Sequence, residues 1–182
     1  MVDYLEPLTE QFEKHSNSAI ALQMKKYMKG QYEYFGIKSP ARREILKSFL
    51  QQYGFPEKME EVVKTCWNLP QREYQYFAME VLGKKAKKAP EERIELYEYM
   101  IVNKSWWDTV DYIASNLAGP YFKKCPDKIR PVTERWMDSG NMWLQRTSLL
   151  FQLKYKSDTD IGLMTGYIRR LYGSRAFFIN KA

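Results

Sequence analysis

The chain has 182 residues, of which 45% are hydrophobic, 15% aromatic and 28% charged, a balance that excludes disorder and suffices for a sizeable core. A mean hydropathy of −0.59 and the lack of any apolar run near about 18 residues exclude a membrane-spanning helix, and the acidic stretch MVDYLEPLTEQFEKH has no secretory pattern. Lys and Arg total 29 against 22 Asp and Glu, a net charge of +7 that suits a polyanionic partner. The basic excess lies in residues 139–182, whereas residues 1–24 are acidic on balance.

Breaker signals punctuate the chain at Gly36 to Pro40, Gly54 to Pro56, Pro70, Pro90, Gly119-Pro120, Pro126 and Gly140. The segments between them are rich in Lys, Glu, Leu, Met and Gln and have the 3.6-residue periodicity of amphipathic helices. No segment alternates in the manner of a strand, and no Asn-Gly or Asp-Gly hairpin signal occurs. The pattern predicts about ten or eleven helices and no sheet. Ser39-Pro40 reads as an N-cap followed by proline at N1, and Pro70 and Pro90 read as helix starts. Short connectors imply antiparallel helix pairs, and two helices with their loops fill about 35–40 residues, the period of a HEAT-like repeat. The expected fold is therefore all-α, a single domain over residues 1–182, built as a curved HEAT-like solenoid with a basic concave face. A compact helical bundle is the alternative.

Three segments carry chemistry, and the first is KKYMKGQYEYFGIKSPARREILKSF. It interleaves Tyr27, Tyr32, Tyr34 and Phe35 with Lys25, Lys26, Lys29, Lys38, Arg42 and Arg43 around a helix start. Aromatics among cations suit a phosphate backbone, and they equally suit a solvated helix pair over a tyrosine-rich core. The basic run from Lys84 to Lys88 reads as a solvated loop. In KSWWDTVDYIASNLAG, Ser105 and Asp108 have the spacing of a helix cap and its third-position carboxylate. A helical projection puts Trp106, Val110, Ile113 and Leu117 on the core face. Trp107 and Asp111 then neighbour each other on its flank, beside the small Ala114 and Ala118. Rim packing for Trp107 and a surface ion pair for Asp111 are the ordinary readings. In NMWLQRTSLLFQLKYKSDTD, Arg146 falls inside the apolar sector with Leu150 and Leu153, so its guanidinium needs a partner. That partner is a carboxylate (Asp111 among the candidates), a phosphate or an aromatic ring. Lys154 and Lys156 extend this segment with positive charge.

Cys66 and Cys125, with His15 as the only histidine, cannot assemble a Cys/His zinc site; two buried thiols are the expected reading, and a single disulfide is the alternative. P-loop, dinucleotide-binding and zinc-protease motifs are lacking, and with one histidine so near the N-terminus no Ser/His/Asp or Cys/His nucleophilic system is convincing.

The segments YFGIKSPARREILKSF, KSWWDTVD and NMWLQRTSLLFQLKYKSDTD together resemble the AlkD-type DNA alkylation repair family of HEAT-like-repeat alkylpurine DNA glycosylases. The similarity runs from about residue 5 to residue 182. It implies a protein that binds duplex DNA and hydrolyses the N-glycosidic bond of cationic N3- and N7-alkylated purines, without cofactor or metal, as a monomer in the bacterial cytoplasm at the nucleoid. It assigns Asp111 to stabilising the sugar cation and activating water, Trp107 to packing on the deoxyribose, and Arg146 to holding the backbone. DNA contacts are expected from Tyr27, Lys38, Arg42, Arg43, Lys154 and Lys156. Two departures accompany the resemblance: the family pattern continues past Ala182 into a further helix bearing a second active-site tryptophan, and Lys38 stands where a neutral polar residue is usual. A non-catalytic DNA-binding paralogue and a protein-binding helical scaffold are the rival readings.

Overall fold

A computed structural model describes residues 3–182. They are helical, and the one β-type pairing among them is an isolated parallel bridge between Glu33 and Gln71. No helix among the described residues is long and apolar enough to cross a membrane. The contacts gather into two compact units, one ending at Val81 and one spanning Leu82–Ala182.

The first unit holds α1 (Glu6–Lys14), α2 (Ser18–Tyr27), α3 (Ser39–Tyr53), α4 (Met59–Asn68) and, as far as Val81, α5 (Arg72–Lys85). Leu8 and Phe12 of α1, Ile45, Leu46 and Phe49 of α3, Val62, Val63, Cys66 and Trp67 of α4, and Phe77 of α5 are its buried core. The segment between α2 and α3 is fixed by one buried carboxylate. Glu73 accepts hydrogen bonds from the backbone N–H groups of Phe35, Gly36 and Ile37 at 3.1, 3.0 and 3.2 Å. Gly36 has φ +88°, and a Cβ there would lie 2.1 Å from the Asn17 carbonyl oxygen, so only glycine permits this approach. The buried guanidinium of Arg72, the residue before Glu73, stacks 3.8 Å from the Tyr32 ring centroid. The tyrosine-rich segment thus serves largely as an internal clasp.

The second unit contains α6 (Arg93–Val102), α7 (Trp107–Tyr112), α8 (Gly119–Lys124), α9 (Ile129–Asp138), α10 (Met142–Leu150), α11 (Ile161–Leu171) and α12 (Phe177–Asn180). A π-helical stretch, Ile113–Ala118, joins α7 to α8, so residues 107–124 form one continuous helix. Gly119-Pro120 reads as a break in the sequence, and here the structure differs. A proline inside a helix clashes with the carbonyl one turn earlier and removes a donor. The wider turns that precede Pro120 make room for its ring. The Gly119 carbonyl is satisfied by the Tyr155 hydroxyl at 2.7 Å, and a Cβ on Gly119 would meet the Phe151 carbonyl at 2.6 Å. Helix 107–124 therefore packs backbone to backbone against the end of α10. Phe122 is central to this core, with edge-on contacts to Phe151, Tyr121 and Trp136 at centroid distances of 5.0, 5.4 and 5.9 Å.

Two caps are displaced from their sequence reading. The N-cap of α3 is Lys38 rather than Ser39, and the N-cap of α7 is Trp106 rather than Ser105. Ser105 instead donates its hydroxyl back to the Ile101 carbonyl at 2.5 Å, which removes it as a cap. Both cysteines are free and buried, in accord with the thiol reading.

α6 and α9 are locked by a carboxylate fork. Glu98 receives both Arg135 terminal nitrogens at 2.7 Å and the Trp136 indole N–H at 3.1 Å. The Arg135 hydrogen bond holds the Glu98 carboxyl below its ordinary pKa, against the opposing effect of burial. A depressed carboxylate contributes stability above its unfolded pKa and loses it as pH falls through the folded value. Glu98→Gln should therefore cost about 1 kcal/mol at neutral pH, and the difference from wild type should vanish as pH drops below the carboxylate range. Urea denaturation of both proteins across that range checks this, and a gap that persists in acid would overturn it.

Candidate functional site

Helix 107–124 delivers Asp111 at the last α-helical turn before the π stretch, and α10 delivers Arg146 opposite it. Asn141 caps α10, its side-chain oxygen accepting from the N–H groups of Trp143 and Leu144 at 2.9 and 3.2 Å. With its start fixed in this way, α10 points Arg146 inward, as the helical projection requires, and the residue is buried. Arg146 Nε donates to Asp111 Oδ1 at 2.7 Å and Nη2 donates to Oδ2 at 2.8 Å. Its third nitrogen, Nη1, donates to the Phe178 carbonyl of α12. One guanidinium thus ties together three helices.

The pair is asymmetric in exposure, and that asymmetry gives it a chemical direction. The Arg146 side chain is 6% exposed and the Asp111 side chain 34%. The carboxylate faces outward with the guanidinium behind it, so the negative end of the pair is presented to the surface. Each carboxylate oxygen has a second lone pair beyond the one given to Arg146. Asp111 can therefore still accept a proton from water or face a developing cation. Arg146, by contrast, has its donors turned inward and is not displayed to a phosphate. Three of its nitrogens are engaged by Asp111 and the Phe178 carbonyl.

Around the pair stands an aromatic group that the sequence reading did not assemble. Phe178 lies 5.0 Å from both Trp106 and Trp143 by ring centroid, and the two tryptophans are 5.9 Å apart. All three are half-buried. Trp106 therefore belongs to this wall rather than to the deep core, where Val110, Ile113 and Leu117 lie as expected. The signal for Phe178 was available only as the apolar pair Phe177-Phe178 near the end of the chain. Trp107 is half-buried at the first position of α7, one helical turn before Asp111.

The expected DNA-contacting residues divide. Tyr27 is 70% exposed, and Lys38 and Arg43 are also exposed, all in the first unit. Arg42 is not available in the same way. Its guanidinium is buried, donates to Glu80 at 2.8 Å and lies 4.4 Å from the Tyr76 ring centroid, which makes it an internal strut. In the second unit Lys154 and Lys156 are exposed beyond the end of α10, with Lys156 in a left-handed conformation at φ +55°.

A family model for the DNA alkylation repair enzyme matches residues 8–182. The chain belongs to that family. Among solved structures it is similar to a predicted DNA alkylation repair enzyme from Enterococcus faecalis, with a TM-score of 0.83 at 26% sequence identity, over 91% of this chain and 78% of that one. No curated protein matches it significantly. Family membership accords with the resemblance carried by the tryptophan–aspartate and arginine segments.

The Asp111–Arg146 pair makes an asymmetric stability prediction. Removing the exposed partner strands a buried cation, whereas removing the cation leaves a carboxylate that water can reach. Asp111→Ala should cost about 3 kcal/mol or more, and Arg146→Met, which keeps the stem, about half as much. Chemical denaturation of the two variants compares them directly, and equal or reversed costs would show that the pair is solvated rather than buried.

Proposed function

We propose that this DNA alkylation repair family member is a metal-independent DNA glycosylase for cationic N3- and N7-alkylated purines in duplex DNA. The observation that carries the reading is the Asp111 carboxylate, held by a buried guanidinium and facing outward beside Trp107 and the Trp106–Trp143–Phe178 wall. An alkylated purine already carries positive charge, so its departure needs little help from a general acid. The bond between the sugar C1′ and the purine nitrogen breaks with its electron pair leaving on the purine, which becomes neutral. Positive charge then develops on the deoxyribose, where a preoriented carboxylate is worth most. Water adds to C1′ and loses its proton, and the outward lone pair of Asp111 is placed to accept it. Trp107 supplies an aromatic face for the sugar and the cationic base. Arg146 acts through Asp111, fixing both carboxylate oxygens so that no reorganisation is needed as charge develops. The HEAT-like pairing of helices, with duplex DNA contacted through exposed Tyr27, Lys38, Arg43, Lys154 and Lys156, belongs to the same proposal.

One observation favours a second reading. Arg146 occupies a lone pair on both Asp111 oxygens, and a positive charge behind the carboxylate weakens its field at the sugar. A non-catalytic relative that binds distorted duplexes by shape would tolerate that arrangement.

Release of N7-methylguanine from alkylated duplex DNA separates the two. Wild type should release the base, and Asp111→Asn, of the same shape and shown to be folded by circular dichroism, should be slower by about 10²–10³-fold with DNA affinity within about threefold. Equal release by both proteins would remove Asp111 from the chemistry. No release by wild type, with salt-sensitive DNA binding retained, would establish the binding protein.

A further inference from the structure

In the second unit, away from the Asp111–Arg146 pair, four lysines from three separate segments line one cleft of about 450 Å³. Lys87 comes from the short 3-10 turn Ala86–Lys88 after α5, Lys123 and Lys124 from the last turn of α8, and Lys154 from the segment after α10. Ser115 and Asn116 of the π stretch, Pro120 and Tyr155 complete the lining. All four lysines are exposed. Lys123 has a carboxylate partner, Asp158 at 2.8 Å, and its ammonium also lies 4.6 Å from the Tyr155 ring centroid. Lys124 and Lys154 donate to neutral oxygens instead, the Ala89 carbonyl at 2.6 Å and Asn116 Oδ1 at 2.5 Å, so their charges stay uncompensated by those contacts.

Lysines in the last turn of a helix are ordinary complements to its dipole, and Lys123 and Lys124 serve that end for α8. The dipole does not account for the cleft. A helix terminus contributes about half a unit of negative charge, and the lysines bring four full charges, of which that of Lys123 is paired with a carboxylate, Asp158. Like charges brought together in this way repel one another, and an anion between them lowers that energy. The lining also selects the kind of anion. The ammonium groups stand on exposed stems, without the enclosed cage of buried donors that a free phosphate requires to bind alone. A polymer backbone needs no cage, because its affinity is the sum of many weak phosphate contacts with counterion release.

We propose that this cleft is a backbone-phosphate site for duplex DNA, with Lys87, Lys123, Lys124 and Lys154 as the cations and Asn116 and Ser115 as neutral donors. The inference rests on the DNA-binding part of the proposed function and adds a specific contact region to it. Asp111 and Lys123 share one continuous helix and are separated along its axis by about 18 Å, the rise of about five phosphates on one strand. A strand engaged at Asp111 thus extends far enough to reach the cleft.

The test measures binding of an undamaged duplex of about two helical turns by fluorescence anisotropy over a range of salt concentrations. Lys87→Gln combined with Lys154→Gln should flatten the slope of log K against log salt by about 1–2 and weaken binding about tenfold near 0.15 M salt. Lys87→Arg with Lys154→Arg should restore both, which separates charge from folding. Lys64→Gln, at a residue paired with Glu60 in the first unit, should change neither. An unchanged slope in the Gln double variant, while wild type binds with a clear salt slope, would overturn the cleft and leave DNA binding standing. Inorganic phosphate that binds wild type by calorimetry and not the Gln variant, with that same unchanged DNA slope, would overturn it in favour of a small-anion site. Wild type that shows no salt-dependent duplex binding would overturn the cleft and the DNA-binding reading together.

Discussion

The ion pair between Asp111 and Arg146 is the constraint on which the second unit is organised. A buried guanidinium cannot be left unpaired, so α10 must lie where its Arg146 meets a carboxylate. The fork sets the distance between α10 and helix 107–124, and the third nitrogen brings the α12 backbone to the same point. Once those helices are placed, Trp106, Trp143 and Phe178 have little choice but to gather beside the pair. The same geometry turns the carboxylate outward. The residue that anchors the packing of these helices therefore also orients the exposed carboxylate of Asp111.

The π stretch complements that constraint. An i→i+5 turn costs hydrogen-bond quality and is usually retained for a reason. Here it follows Asp111 directly, and Ser115 within it donates to the Asp111 carbonyl at 2.9 Å. It also lets the helix continue through Pro120, so that Lys123 and Lys124 remain on the same rod as Asp111. Had the helix broken at Gly119-Pro120, the relation between the acidic site and the lysine cleft would be left to a loop. The close backbone approach at Gly119 and the buried Tyr155 hydroxyl hold the end of that rod in place.

In the first unit a buried carboxylate is again decisive, this time with a structural outcome. Glu73 gathers three backbone N–H groups of the segment that leads into α3. Arg72 and Arg42 are likewise consumed internally, on Tyr32 and on Glu80 with Tyr76. A segment that reads as cations interleaved with aromatics is thus sorted by burial. Arg42 supports the fold, while Lys38 and Arg43 remain outside.

The helical class, the approximate helix limits and the inward direction of Arg146 were legible along the chain, because each depends on local periodicity and on nearby breakers. The sequence also carried the family, through short motifs whose residues are close in the chain. It could not determine which of its charges would meet. Arg146 and Asp111 lie on different helices, as do Arg42 and Glu80, and the sequence pattern of Arg42 differs little from that of Arg43. Whether a cation becomes a strut or a surface contact depends on what lies opposite once helices have packed, and that distance is set by the whole core. Only the packing of helices distant in the chain pairs Arg146 with the Asp111 carboxylate, sets Phe178 against the two tryptophans, and brings lysines from three segments to one cleft.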